Sequence, residues 1–316
     1  MFRRTLRAPR LVLPLALLLG LGLSSCGEED TSGEAPTFEA VTVEGEPGSE
    51  PKVEIEKNVD TSEVSTEVLV EGEGEVVEAG DQVLAHLWLG NFFDQQKAFS
   101  TYDTGTPELV TVDEETLSPV FVEGLEGQTV GSRVAVTAPA DEAFGEGGNP
   151  QFNIGNKDTI LVVIDLMSTV LDEPAGESGK APGWAPEIVE KDGVPASLDF
   201  SDAPKPGKDL RSATLVEGEG ATVEKGQTIV VDYLGQVYGG KKPFDDSYSR
   251  GEPASFQIGT GNVVKGWDRT LVGATVGSRV MIAIPPALGY GKAGNPQAGI
   301  EGDDTLYFVV DVLAAG

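Results

Sequence analysis

The string LVEGEG occurs at residues 69–74 and again at 215–220, an offset of 146. The same offset carries TVGSRV at 129–134 onto 275–280 and Gly148-Asn149-Pro150-Gln151 onto Gly294-Asn295-Pro296-Gln297. It also carries Asp158-Thr159 onto Asp304-Thr305, and Phe38 onto Trp184. One offset sustained over that length, with a period far too long for a solenoid, marks a duplicated globular domain. The two copies span roughly 38–171 and 184–316. Between them, residues 172–183 are polar and rich in Pro, Gly and Ser, and read as a linker.

Each copy is rich in strand signals. With 41 Gly and 20 Pro among 316 residues, helices are interrupted too often for a helical bundle. In the second copy Thr228–Leu234, Ala254–Ile258, Ser278–Ile284 and Thr305–Leu313 are β-branched or aromatic runs bounded by turn residues, and predict strands. Val263–Leu271, bounded by Gly261-Asn262 and Gly273, predicts a short helix, and Leu288–Asp303 a long Gly-rich loop. Strands with one short helix predict an α+β class in which the helix packs on a curved antiparallel sheet.

The charge balance narrows the function classes. With 22 basic and 52 acidic residues, net −30, the chain lacks the clustered cations of a nucleic-acid binder. The acidity is uneven: residues 27–60 carry net −9, residues 61–173 net −19, and residues 174–209 and 210–316 net −3 each. This reads first as a solvated, self-repelling surface, with a surface for cations or basic partners as the sharper alternative. One Cys, Cys26, and one His, His86, allow no intrachain disulfide and no Cys- or His-rich metal site. His86 lies in a predicted strand, VLAHLWLG, without a second ligand at metal spacing, and reads as structural. Any catalysis must therefore use carboxylates, hydroxyls or no proton transfer, and no metal or cofactor is expected.

The first residues read as an address. Arg3, Arg4, Arg7 and Arg10 precede an apolar run, Leu11 to Leu23, of 13 residues. A membrane span needs about 20, so this is a secretory h-region. The run closes on Leu23-Ser24-Ser25-Cys26, which resembles the bacterial lipoprotein lipobox. That resemblance implies a signal peptide over 1–25, a diacylglyceryl group on the Cys26 thiol and a flexible spacer over 26–37. It implies a lipid-anchored protein on the extracytoplasmic face of the cell membrane.

In the second copy Tyr233, PFDDS at 243–247, Val263-Val264-Lys265-Gly266-Trp267, Tyr290-Gly291 and LYFVVDVL at 306–313 follow one another in an order and spacing similar to the FKBP-type peptidyl-prolyl cis–trans isomerases. The likeness covers about 210–316, and residues 184–209 look like an N-terminal extension. It implies a five- to six-stranded antiparallel sheet wrapped around a short helix, with a shallow apolar pocket for a proline ring. Carried over, Trp267 forms the pocket floor, and Tyr233, Phe244, Phe256, Val263, Val264 and Phe308 line its sides. Asp245 and Tyr290 supply the polar rim, and Ile300 sits on the covering loop. Tyr290 is suited to hold a substrate carbonyl, and Asp245 to orient neighbouring side chains. Ala254 departs from the family, where many members carry an aromatic. The resemblance implies proline-containing polypeptides as partners; macrolide-type inhibitors of the family are a further ligand class, left open by Ala254.

The first copy keeps the turns and strands but not this set. The offset turns Tyr233 into Leu87, Trp267 into Phe121, Tyr290 into Phe144 and Phe308 into Val162. Phe256 becomes Val110, and Val263-Val264 become Leu117-Ser118. Aligning AFSTY with PFDDSY after a one-residue slip places Ser100 at Asp245. The same fold with eroded isomerase chemistry is expected. Two readings of the whole chain remain: an isomerase assisting the folding of exported proteins, and a non-catalytic binder of proline-containing or unfolded segments. A solute-binding lipoprotein would need a two-lobed α/β body, which this duplication does not supply.

Overall fold

The computed structural model of the protein describes residues 37–316, so the segment expected to be a signal peptide, Cys26 and all of the expected spacer except Thr37 lie outside the described residues. In chain order the first copy forms β1 (Val41–Glu44), β2 (Lys52–Ile55), β3 (Ser65–Val70), β4 (Gln82–Asn91), β5 (Gln96–Ser100), β6 (Glu108–Thr111), α1 (Pro119–Leu125), β7 (Arg133–Pro139), α2 (Ala140–Phe144) and β8 (Thr159–Thr169). The chain continues through β9 (Gly176–Ser178), β10 (Glu187–Lys191), β11 (Val194–Asp199), β12 (Arg211–Gly218), β13 (Thr228–Val237), β14 (Asp245–Asp246), β15 (Ala254–Gln257), α3 (Lys265–Thr270), β16 (Arg279–Ile284) and β17 (Leu306–Ala315).

The repeat of sequence is a repeat of register. The first sheet runs β3-β7-β8-β4-β5 with β6 also on β4; the second runs β14-β13-β17-β16-β12-β9 with β15 also on β13. Even the irregularities recur at the same offset. The β3–β7 ladder slips between Val68 and Val70, and β12–β16 between Thr214 and Val216. The β4–β8 ladder slips between Leu84 and Ala85, and β13–β17 between Val230 and Val231. Bulges bend a strand and add local twist, which lets each sheet curve over its helix.

Successive residues of a strand face opposite sides of a sheet. In β8, Ile160, Val162 and Ile164 pack beneath α1 with Val120 and Leu125. Leu161 and Val163 pack the other way, against Phe38, Val41 and Val53 at the hairpin β1–β2. In the second domain Phe308, Val310 and Val312 face α3, while Tyr307 and Val309 meet Trp184, Ile188 and Leu198 at the hairpin β10–β11. Residues 184–209 are thus an ordered cover for the sheet's second face. Cover on both sides explains why Leu306–Ala315 is buried throughout rather than alternating.

Charged groups fasten this arrangement. Arg133, 1% exposed, donates from Nε and Nη2 to Asp165 at 2.7 Å. It also donates to the carbonyls of Gly45, Glu46 and Ser49 in the β1–β2 turn. The Tyr102 hydroxyl donates to Asp165 as well. The second domain repeats the set: Arg279 donates to Asp311 at 2.6 and 2.7 Å, and Tyr248 donates to Asp311 at 2.7 Å.

The linker expectation needs correction. Residues 176–178 are β9, paired antiparallel with Val216–Gly218, and this strand makes the second sheet seven-stranded rather than five- to six-stranded. Ala175 N–H donates to Gly277, Gly179 N–H to Leu215, and Leu171 N–H to Leu313. The segment's backbone pairs with β12 while its polar side chains stay exposed, which composition alone does not reveal. The domains also meet directly, through Leu84, Val230 and Ala314 with Leu109, Met167 and Val170 around them.

Candidate active site

A cavity of about 520 Å³ opens in the second domain between β13, β15, α3 and the loop after β16. Of the ten residues expected there, nine line it: Tyr233, Phe244, Asp245, Phe256, Val263, Val264, Trp267, Tyr290 and Phe308. Ile300 does not. It is 3% exposed and packs in the core with Trp267 and Leu306. Its backbone forms a bridge with Asn295, and that tight pairing sets its side chain among the buried residues rather than along the cavity.

Trp267 enters from the first turn of α3. Gly266 lets that turn approach the sheet, since a Cβ there would stand 2.4 Å from Ile284 Cδ1. The indole meets Tyr233, Phe256 and Phe308 edge-on, with ring centroids 5.5, 5.2 and 5.3 Å away. Phe244 meets Phe308 edge-on at 5.6 Å. Edge-to-face contacts of this kind hold rings in place beyond what their buried area contributes. The floor is thus a rigid apolar surface.

One polar edge is held by a hydrogen-bonded group of three. The Tyr233 hydroxyl donates to Asp245 Oδ2 at 2.6 Å. Arg250 Nη1 donates to Asp245 Oδ1 at 3.0 Å, and its guanidinium carbon lies 5.9 Å from the Tyr233 ring centroid. Burial, with the Asp245 carboxylate, pushes the Tyr233 hydroxyl up to about 12, so it remains a donor. Asp245 therefore holds the Tyr233 hydroxyl in one position. Tyr290 is 39% exposed and lines the mouth of the cavity.

Sequence reasoning missed three contributors. Arg250 follows PFDDSYS closely enough that its partnership with Asp245 was within reach. Asp268 accepts from Gly259 N–H at 2.7 Å and Gly261 N–H at 3.0 Å, tying the loop before α3 to the helix. Gly235 makes room for the pocket rings: a Cβ there would stand 2.6 Å from Phe244 Cζ and 2.7 Å from Phe308 Cε1.

The first domain places different groups at these positions. The ladder pairs Gly235 with Asp245 and Leu89 with Phe99. Phe99, not Ser100, therefore stands at the Asp245 position, and Ser100 stands at Asp246. The expected slip falls after this pair, at the bulge between Leu89 and Gly90. Phe99 lies 5.3 Å from Phe152, and both pack with Leu87, Phe121 and Phe144 on the domain core. An apolar ring thus replaces the carboxylate, and the hydroxyl it would orient is gone. His86 is buried, bonded to Thr101 at 2.8 Å and stacked on Tyr102 at 4.0 Å, in keeping with a structural role.

A family model for FKBP-type peptidyl-prolyl cis-trans isomerase matches the chain twice, over residues 73–167 and 219–313. The chain is 39% identical over 117 residues to an FK506-binding protein of Streptomyces anulatus, covering 37% of this chain and 94% of that protein. It is 43% identical over 96 residues to the FKBP-type peptidyl-prolyl cis-trans isomerase FkpA of Escherichia coli (strain K12), covering 30% of this chain and 34% of that protein. Among solved structures, that of AtFKBP13 aligns at 35% identity over 34% of this chain and 93% of its own, with a TM-score of 0.32.

Proposed function

This chain belongs to the FKBP-type peptidyl-prolyl cis–trans isomerase family, and we propose that its second domain is the catalytic unit, acting on exported proteins at the outer face of the cell membrane. The observation that carries the choice of domain is the Tyr233–Asp245 pair beside the Trp267 floor, set against Leu87, Phe99 and Phe121 at the same positions of the first domain.

Rotation about an Xaa–Pro bond is opposed by amide resonance, with a barrier of about 18–20 kcal/mol. Resonance places negative charge on the carbonyl oxygen, and water stabilises that planar form. The cavity supplies phenyl and indole faces to the proline ring and removes water from it. A carbonyl that leaves the amide plane loses conjugation, and the dry surroundings favour that twisted state over the planar one. Tyr290 holds a neighbouring substrate carbonyl. Tyr233, fixed by Asp245 and Arg250, keeps the wall of the cavity in one position. No bond is made or broken, so no nucleophile is required.

Export and anchoring rest on the Arg-rich leader and on Leu23-Ser24-Ser25-Cys26. Slow proline steps of tens of seconds limit folding outside the membrane as they do inside, so an anchored isomerase there has a use.

The test uses the full chain and an Xaa-Pro peptide whose isomerisation is followed directly. Trp267→Leu should abolish the acceleration and Phe121→Leu should leave it intact; activity that survives the first substitution would refute the assignment. For the anchor, Cys26→Ala should move the protein from the membrane fraction to the soluble one, and full retention on membranes would overturn that part alone.

A further inference from the structure

The cavity of the second domain carries one charge that nothing in the fold neutralises. Asp245 and Lys265 are the charged residues that line it. Asp245 is engaged by the Tyr233 hydroxyl and by the Arg250 guanidinium, the latter 3.0 Å away. Lys265 is exposed and has no hydrogen bond or ion pair among the described residues. It is the first residue of α3, two positions before the Trp267 floor. Gly266, between them, packs directly on Ile284, which holds the start of the helix in place while the Lys265 side chain stays exposed. Lys292, two positions after the cavity residue Tyr290, is likewise exposed and without an ion pair among the described residues. The first domain, with Leu87, Phe99 and Phe121 in place of Tyr233, Asp245 and Trp267, has Pro119 and Glu146 at these two positions. The free cations thus accompany the ring-lined cavity and not the fold.

We infer that Lys265 is a specificity-determining residue, through which the second domain prefers Xaa–Pro segments that carry an acidic side chain beside the proline. The inference rests on the isomerase reading of this cavity and names its substrate class. A segment whose proline ring lies over Trp267 brings its neighbouring residues to the rim, since each residue spans at most about 3.6 Å of chain. A carboxylate there meets the free ammonium of Lys265. A lysine there meets a like charge, and Asp245 offers it little in return because Arg250 already holds that carboxylate. The net charge of −30 does not reverse this choice. Most of that excess lies outside residues 210–316, which carry net −3. Exposed charges are largely screened beyond about 8 Å at physiological ionic strength, so the cation at the cavity acts at contact range against a screened acidic background.

The experiment uses the full chain and three fluorescein-labelled peptides with an Ala-Pro core flanked on both sides by Glu, Gln or Lys. Each is read by its isomerisation rate and by binding anisotropy. Both kcat/KM and affinity for the Glu peptide should exceed those for the Gln peptide by about threefold and those for the Lys peptide by about fivefold, the scale of a partly exposed ion pair. At about 1 M salt, where the screening length falls to roughly 3 Å, the ratios should approach one. Lys265→Gln should abolish the preference and Lys265→Glu should invert it. These are ratios within one variant, so they do not depend on its absolute activity. Equal values for the Glu and Lys peptides with the wild-type chain, no measurable binding of any peptide, or a preference that Lys265→Gln retains would each overturn the proposal. Graded affinity without turnover of any peptide would sink the isomerase reading instead and leave Lys265 as the selecting residue of a binding site.

Discussion

Gly235 and Leu89 stand at the same register position of the two domains, Gly235 between Asp245 and Phe308, Leu89 between Phe99 and Val162. The glycine leaves space that Phe244 and Phe308 fill, while Leu89 packs in the core of its own domain. This difference on a central strand goes with Leu87, Phe99 and Phe121 in place of Tyr233, Asp245 and Trp267 in the first domain.

Gly235→Ala follows directly. The new Cβ would lie 2.6 Å from Phe244 Cζ and must displace that ring. The backbone there has no positive φ, so the fold is retained. Isomerase kcat/KM should fall by about tenfold, equivalent to roughly 1.4 kcal/mol of transition-state stabilisation. Unchanged turnover with an unchanged circular dichroism spectrum would show that Phe244 is not part of the working surface.

Asp245→Ala and Tyr233→Phe break the same hydrogen bond from opposite ends. Each should lower kcat/KM by about tenfold, and the double variant by little more than either, because contacting residues are non-additive. Effects that multiply would mean the two residues act independently on substrate.

Trp267→Ala removes a buried indole from the core of the second domain. The expected cost is about 3–5 kcal/mol of stability, together with loss of activity. Trp267→Phe should be far milder on stability. The indole Nε1 has no hydrogen-bond partner among the described residues, so none is lost. Denaturant midpoints of the two variants distinguish the outcomes.

Arg133→Ala leaves Asp165 buried and the turn carbonyls of Gly45, Glu46 and Ser49 without their donor. Removing one partner of a fully buried pair costs about 3–5 kcal/mol. Arg279→Ala should cost less, because Arg279 is 17% exposed and water can replace part of what is lost. Equal destabilisation would show that the hairpin contacts of Arg133 contribute nothing.

His86 provides a pH dependence. Burial lowers its pKa from the ordinary 6.5, so the folded protein holds the neutral ring while the unfolded chain takes up a proton near pH 6.5. The unfolded state binds more protons in that window, so stability is full above it and falls as pH drops through the lowered native value. His86→Gln should flatten the fall in first-domain thermal stability between neutral and mildly acidic pH. An unaltered slope would place the titration elsewhere. Asp232, at the same position of the second domain, is raised by burial, and its contribution runs the other way, present at low pH and lost as pH rises through the native value.

Much of this protein was legible before any coordinates. The constant offset of 146 identified the duplication, and the bulges of β3–β7 and β4–β8 recur at that offset in β12–β16 and β13–β17. Short-range patterns carried this far because alternation, turn glycines and β-branched runs act locally. The aromatic set was legible by its resemblance to a family, and nine of ten expected residues meet at one cavity.

Tertiary structure decided what depends on neighbours distant in the chain. Whether Ile300 turns toward the cavity or the core is settled by its bridge to Asn295. Whether residues 172–183 hang free or form a strand depends on an unpaired edge of β12, which no local composition records. Phe99 rather than Ser100 stands at the Asp245 position because the ladder pairs Leu89 with Phe99 before the slip, and a one-residue slip moves every side chain to the other face. Sequence determined which residues are present and where strands begin. Long-range pairing determined which of them share a surface, because backbone hydrogen bonds must be satisfied across the sheet before side chains are placed.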